Sequence, residues 1–259
     1  LKELTMTTGA ITGYIDVAQI TLYAFWVFFA GLIYYLLQEN KREGYPLESD
    51  RSGSIKVQGW PPIPEPKTFL LQDGTTVSAP SYKVSQQVLK AAPAGNFPGA
   101  PLEPTGDKPM LDGVGPGAWA DRADKPDVTY TGELRIVPLR TATDFGVAPQ
   151  DTDPRGLTVL GADGEAGGTV VDVWVDRSEV MFRYLEVEVA GGRHVLLPIN
   201  FTRIGQRSIK VRSILGSQFA DVPGTRLPDR VTLLEEEKVM AYYGAGTLYA
   251  TPDRQEPLL

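Results

Sequence analysis

Residues 17–37 read VAQITLYAFWVFFAGLIYYLL, with no charged side chain and only Gln19 and Thr21 distinctly polar. Rising about 1.5 Å per residue, a helix of this run is roughly 30 Å long, the thickness of the hydrocarbon core of a bilayer. A cleaved signal peptide would need a basic leader, a shorter apolar core and a small-residue cleavage site. Instead acidic Asp16 precedes the run, and Tyr34, Tyr35, Leu36 and Leu37 end it. The expected element is one transmembrane helix over residues 14–38, following a short N-terminal segment, 1–13.

The flanks set an orientation. Lys41 and Arg42 follow the span directly, whereas its N-terminal side offers Lys2 offset by Glu3 and Asp16. The positive-inside rule then places the C-terminal bulk in the cytoplasm and the N-terminus in the periplasm. Tyr14, Tyr34 and Tyr35 fall at interfacial depth. Tyr23, Phe25, Trp26, Phe28 and Phe29 lie mid-span, facing either lipid or a partner. Gln19 is a polar amide in hydrocarbon and is expected to find a partner.

Residues 39–127 are dense in Pro and Gly, as in WPPIPEPKTF (60–69) and GVGPGAW (113–119). Proline removes backbone donors and fixes φ, so long helices and central strands are not expected there. One hairpin is predicted, with 68–71 and 76–78 flanking Asp73-Gly74. The Trp, Phe, Leu and Val content suggests a segment laid over another surface rather than a free linker.

From residue 128 onward the pattern changes. Short strands are predicted at 133–139, 157–160, 168–175, 184–189, 194–198 and 208–212. In YLEVEV (184–189), Glu186 and Glu188 alternate with apolar residues, which predicts a strand with one wet face. Strands at this spacing suggest a small antiparallel barrel or rolled sheet. A helix follows, with Thr232 and Glu235 at capping-box spacing. Its first turn carries Glu235, Glu236 and Glu237, favoured by the positive end of the helix dipole, and Gly244 and Gly246 are its expected stops.

Composition removes several function classes. The chain has 25 basic and 32 acidic side chains, a net charge of -7, which argues against a nucleic-acid partner. It has no cysteine and one histidine, His194, so thiolate chemistry, a His-based metal cluster and a proton-shuttling triad lack their parts. No Walker loop or dinucleotide fingerprint is present. One constellation remains: Asp176-Arg177-Ser178-Glu179, with Arg183 just beyond. It reads either as a solvated turn or, if a carboxylate is pushed under a partner, as a group whose raised pKa lets it pass protons near neutral pH.

Several stretches occur in an order that resembles the H subunit of purple-bacterial photosynthetic reaction centres. They are ENKREGYPLE (39–48), PKTFLL (66–71), GAPLEPTGDKPMLDGVGPGAW (99–119), IVPLRTATDFGVA (136–148), DPRGL (153–157), VDVWVDRSE with RYLEVEV (171–189) and VTLLEEEKVMAYYGAGTLYATP (231–252). The resemblance implies a single-pass protein of the bacterial inner (intracytoplasmic or chromatophore) membrane, with a periplasmic N-terminus. It implies an extended 39–127 segment on partner subunits and a mainly β cytoplasmic domain, 128–259, of the PRC-barrel type with a C-terminal helix.

The implied role is non-catalytic: capping the L and M subunits, stabilising the complex, shielding the quinone acceptor side and helping protons reach the secondary quinone during light-driven cyclic electron transport. Bacteriochlorophyll, bacteriopheophytin, quinones, non-haem iron and carotenoid would reside on L and M, with none bound by this chain. Membrane lipids are expected neighbours, and light-harvesting ring polypeptides and a bound cytochrome are further partners the family allows. By resemblance, Glu179 is similar to the family's proton-relay glutamate, Asp176 to a neighbour in that relay, and Arg183 to a basic member. Some relatives carry a His pair and an Asp before the IVP strand as a proton inlet. Thr129, Thr131 and Glu133 stand there in this chain, leaving Glu133 the one titratable group and no metal site. The rival reading is a membrane-tethered PRC-barrel adaptor outside photosynthesis.

Overall fold

The computed structural model describes residues 9–12, 15–49, 56–81 and 88–255. The chain divides into two compact units, Leu1–Gln87 and Val88–Leu259. Lys2, Glu3 and Tyr14, which entered the orientation argument, lie outside the described residues.

In the first unit, α1 (Val17–Glu39) is long and apolar enough to cross a membrane and buries none of its residues. Asp16 caps it: its carboxylate accepts from the Gln19 amide at 2.8 Å, and the Gln19 side chain accepts from the Asp16 amide at 3.3 Å. The expected partner of Gln19 is therefore the helix's own first turn. Two hairpins follow, β1 (Leu47–Glu48) with β2 (Lys56–Val57), and β3 (Lys67–Leu70) with β4 (Thr76–Ala79). The second is the hairpin expected around Asp73-Gly74. The cations after the span are engaged. Lys41 is buried, donating to the Gln58 and Pro61 carbonyls at 2.8 Å each, and Glu39 pairs with both Arg42 and Lys67.

The second unit opens with a hairpin, β5 (Ala91–Pro93) and β6 (Leu102–Pro104), and 3-10 turns at Pro109–Leu111 and Gly115–Gly117. Its core is a sheet of seven strands. They are β7 (Ile136–Pro138), β8 (Thr158–Leu160), β9 (Ala166–Asp176), β10 (Met181–Val189), β11 (Arg193–Pro198), β12 (Thr202–Ile204) and β13 (Ser208–Val211). The order is β11-β10-β9-β8-β13-β12, with β7 on β9. The fold class is as expected, but two details differ. The β8–β13 pair is parallel, and no pairing among the described residues joins β12 back to β11, so the sheet is rolled without closing. The 3-10 turn Ile199–Phe201 carries the chain from one edge strand to the other without bringing them into register.

Helix α2 (Leu233–Tyr249) packs on the two 3-10 turns and β11, burying Val239, Tyr242, Tyr243 and Tyr249. Met110 and Val114 are buried within this unit, so part of the Pro/Gly-rich stretch packs on its own domain, while Leu89, Phe97 and Leu102 stay exposed. The Thr232–Glu235 capping box is present.

Gly244 and Gly246 do not stop α2, which runs through both. A Cβ on Gly246 would lie 2.4 Å from Ile214 Cγ2 and 2.4 Å from the Ser213 carbonyl, and one on Gly244 would lie 2.8 Å from the Pro116 carbonyl. These glycines let backbone approach backbone. Gly246→Ala should therefore destabilise by about 2 kcal/mol through overpacking, despite the roughly 1 kcal/mol that alanine gains in helix propensity. A thermal melt of the full chain in detergent checks this, and a rise in the midpoint would contradict the packing argument.

Candidate functional site

Asp176 ends β9, opposite Met181 of β10 and Ile136 of β7. That double pairing brings Arg135 to the 176–179 turn. Asp176 is 0% exposed. Its Oδ1 accepts from the Ser178 and Glu179 amides at 2.9 and 3.0 Å, which folds the turn. Val180 completes it with φ of 55°, a left-handed conformation that costs a β-branched residue about 1–3 kcal/mol.

Two guanidiniums clamp the two carboxylates. Arg135 Nη2 lies 3.0 Å from Asp176 Oδ2 and 2.7 Å from Glu179 Oε1, and its Nη1 reaches Asp127 at 3.0 Å. Arg183 Nε lies 3.3 Å from Asp176 Oδ2, and its Nη2 lies 2.7 Å from Glu179 Oε2. Burial alone would raise the Asp176 pKa, but Arg135 and the two turn amides outweigh it, and the carboxyl is held below its usual range. Glu179 keeps 45% of its side chain exposed, so within this chain it is the wet end of the cluster.

Of the four residues singled out from sequence, three meet here: Asp176, Glu179 and Arg183. Glu133 does not join them. It pairs with Arg177 at 2.7 Å on the neighbouring turn. Thr129 and Thr131 hydrogen-bond each other through their hydroxyls at 2.8 Å. Sequence reading missed Arg135 and Asp127, which only the β7–β9 register delivers. It also missed Glu236.

Beside the cluster, a cleft of about 480 Å³ is lined by Arg135, Asp176, Arg183, Tyr184 and Glu236, among others. Glu236 accepts from the Tyr184 hydroxyl at 2.8 Å, and burial nonetheless raises its pKa. A carboxyl whose folded pKa is raised takes up its proton more readily in the folded state. Its stabilising contribution is complete below the ordinary carboxylate range and is lost as pH rises through the raised value. Glu236→Gln should therefore stabilise the chain at neutral pH by up to about 1 kcal/mol and show no gain in acid. Urea unfolding at both pH values checks this, and a loss at neutral pH would contradict it.

The other expectations for β10 change as well. Glu188 is exposed as predicted, but Glu186 is buried, because Trp174, Arg140 and His194 close over it. His194 is a half-exposed partner of Glu186 at 2.7 Å. Among the described residues, no group of three or more His, Cys, Asp or Glu side chains is placed to hold a metal ion.

Comparison with known families fits this architecture. Residues 9–141 match the family described as photosynthetic reaction centre, H-chain N-terminal region. The chain belongs to that family. Residues 150–218 of the H chain match the PRC-barrel domain, which contains the 176–179 turn. The H-chain match runs through the middle segment that a bare barrel adaptor lacks, and so sets the adaptor reading aside. As a reaction-centre H chain, the protein is a membrane-associated structural subunit that associates with the L and M subunits.

Proposed function

We propose that this H chain caps the cytoplasmic face of L and M, shields the quinone acceptor side and helps conduct protons to the secondary quinone. In this reading α1 spans the inner membrane with its N-terminus in the periplasm. The exposed parts of the 39–127 segment lie on partner subunits, and residues 128–259, with the turns around Met110 and Val114 packed on them, form the cytoplasmic domain. The pigments, quinones and iron sit on L and M.

The observation that carries the proton role is the joining of half-exposed Glu179 to fully buried Asp176 through Arg135 and Arg183. This ionic bridge runs from solvent toward a cleft that also holds Glu236, whose pKa burial raises. Quinone reduction to quinol consumes protons, so a subunit covering the acceptor side needs such a route. A partner over Glu179 would desolvate it and raise its pKa toward the working pH.

Glu179→Gln in the assembled complex should slow the second proton-coupled electron transfer to the secondary quinone by about tenfold or more, with primary charge separation intact. Flash-induced absorbance kinetics read both. An unchanged second-transfer rate would reduce Glu179 to a surface turn residue.

A further inference from the structure

Three exposed cations of the second unit that have no carboxylate partner among the described residues lie together on one hairpin. Elsewhere in that unit Arg122 pairs with Glu237, Arg155 with Asp153, Arg177 with Glu133, Arg226 with Asp124 and Arg230 with Asp229, while Arg193 donates to the Val222 and Ala220 carbonyls. Arg203, Lys210 and Arg212 are exposed, and none of their side chains forms an ion pair or hydrogen bond with a described residue. Arg203 and Lys210 are direct cross-strand partners in the β12–β13 pair, so two like charges face each other, an unfavourable arrangement when nothing neutralises them. Arg212 lies two residues beyond Lys210 and shares its face.

These three side chains line a pocket of about 450 Å³ together with Arg254, Ser213 and Thr247, and no carboxylate is among its lining residues. Arg254 is anchored by backbone carbonyls: Ser213 at 2.6 Å, Gly246 at 2.5 Å and Arg212 at 3.0 Å. That leaves its Nε–H and one Nη2–H unused. The Ser213 hydroxyl is buried without a partner among the described residues. Edge protection explains a cation on β12, since charge there discourages pairing with another strand. It does not explain Lys210 and Arg212, because β13 is an interior strand flanked by β12 and β8.

We propose that this pocket binds a phosphate-bearing anion, with Arg203, Lys210 and Arg212 supplying the charge and Arg254 a fixed guanidinium. A carboxylate satisfies one arginine fork, whereas a phosphate group presents enough charge and acceptor oxygens to engage several cations. The chemistry is the same for a lipid headgroup of the bilayer that α1 enters and for a soluble phosphate compound.

The test uses the full chain in phosphatidylcholine nanodiscs, titrated with inorganic pyrophosphate by calorimetry. Saturable binding is expected. It should weaken by about tenfold or more in Arg203→Gln/Lys210→Gln/Arg212→Gln, and less in each single variant. Arg155→Gln, outside the pocket, should leave it unchanged. A weaker pyrophosphate response in wild-type discs containing phosphatidylglycerol identifies the headgroup as the occupant, provided the pyrophosphate affinity of the triple variant does not fall with it. An equal response identifies a soluble phosphate. Absence of saturable binding to wild type overturns the proposal. So does equal binding by the single variants, which also covers a triple variant that fails to fold.

Discussion

Asp176→Ala is expected to lower the unfolding free energy of the full chain by about 3–5 kcal/mol at neutral pH, the range for breaking a buried ion pair from one side. The carboxylate is fully buried and serves two guanidiniums and two turn amides at once. Alanine leaves both turn amides without an acceptor and strips each guanidinium of its buried partner, leaving Arg183 with Glu179 and Arg135 with Glu179 and Asp127. Because Arg135 and Arg183 keep partial access to water, the loss should fall toward the lower end of that range. The sign with pH follows from the depressed pKa of Asp176. Its contribution is present above the ordinary carboxylate range and is lost as pH falls through the lower folded value. The gap between wild type and variant should narrow in strong acid. Denaturant unfolding of the chain in micelles measures both, and a loss below about 1 kcal/mol would mean that the turn is held without the buried carboxylate. Glu179 would also lose its bonded turn amide, so slowed proton delivery in this variant would combine lost position with lost charge.

Arg140→Met should have a comparable effect at a place unrelated to the proposed proton route. Arg140 Nη1 bridges Asp172 at 2.9 Å and Glu186 at 2.5 Å, and these carboxylates are only 8% and 5% exposed. Burial pushes the Glu186 pKa up, but Arg140, Trp174 and His194 together hold it below the usual range. Without the guanidinium, two buried carboxylates share one site, and one of them must take a proton or open the sheet to water. The expected loss is about 3 kcal/mol at neutral pH, shrinking as the medium is acidified and the stranded carboxylates protonate. Adding Glu186→Gln should recover part of the loss, because it removes one of the two charges. A loss that is the same at neutral and acid pH would show that Arg140 acts by packing alone.

The turn at 176–179 shows where sequence reading stops. Its residue types, an aspartate followed two and three residues later by amides it can bind, are a local pattern, and so is the basic residue at 183. Whether Asp176 is buried depends on β7 pairing with the far end of β9, a contact between segments forty residues apart in the chain. Glu236 is a similar case. Local chemistry explains it as a favourable charge in the first turn of α2, and that remains true. Its raised proton affinity arises from burial beneath the packed domain, which outweighs the opposing hydrogen bond from Tyr184 on a different element. Glu186 was misread because alternation along one strand reports two faces, not what covers each face. Trp174, one strand away, is what dries it.

The sequence by itself determined the apolar span, the Thr232 cap of α2, six of the seven strands of the main sheet and the family, because each rests on local composition, periodicity or ordered motifs. The tertiary structure alone decided that the sheet stays open and that Gly244 and Gly246 are contact points rather than stops. It alone also made Asp176 the dry end and Glu179 the wet end of the cluster. Those outcomes depend on which distant segments meet. Burial and the electrostatic environment of a charge are properties of the packed surroundings, which no single stretch of chain contains.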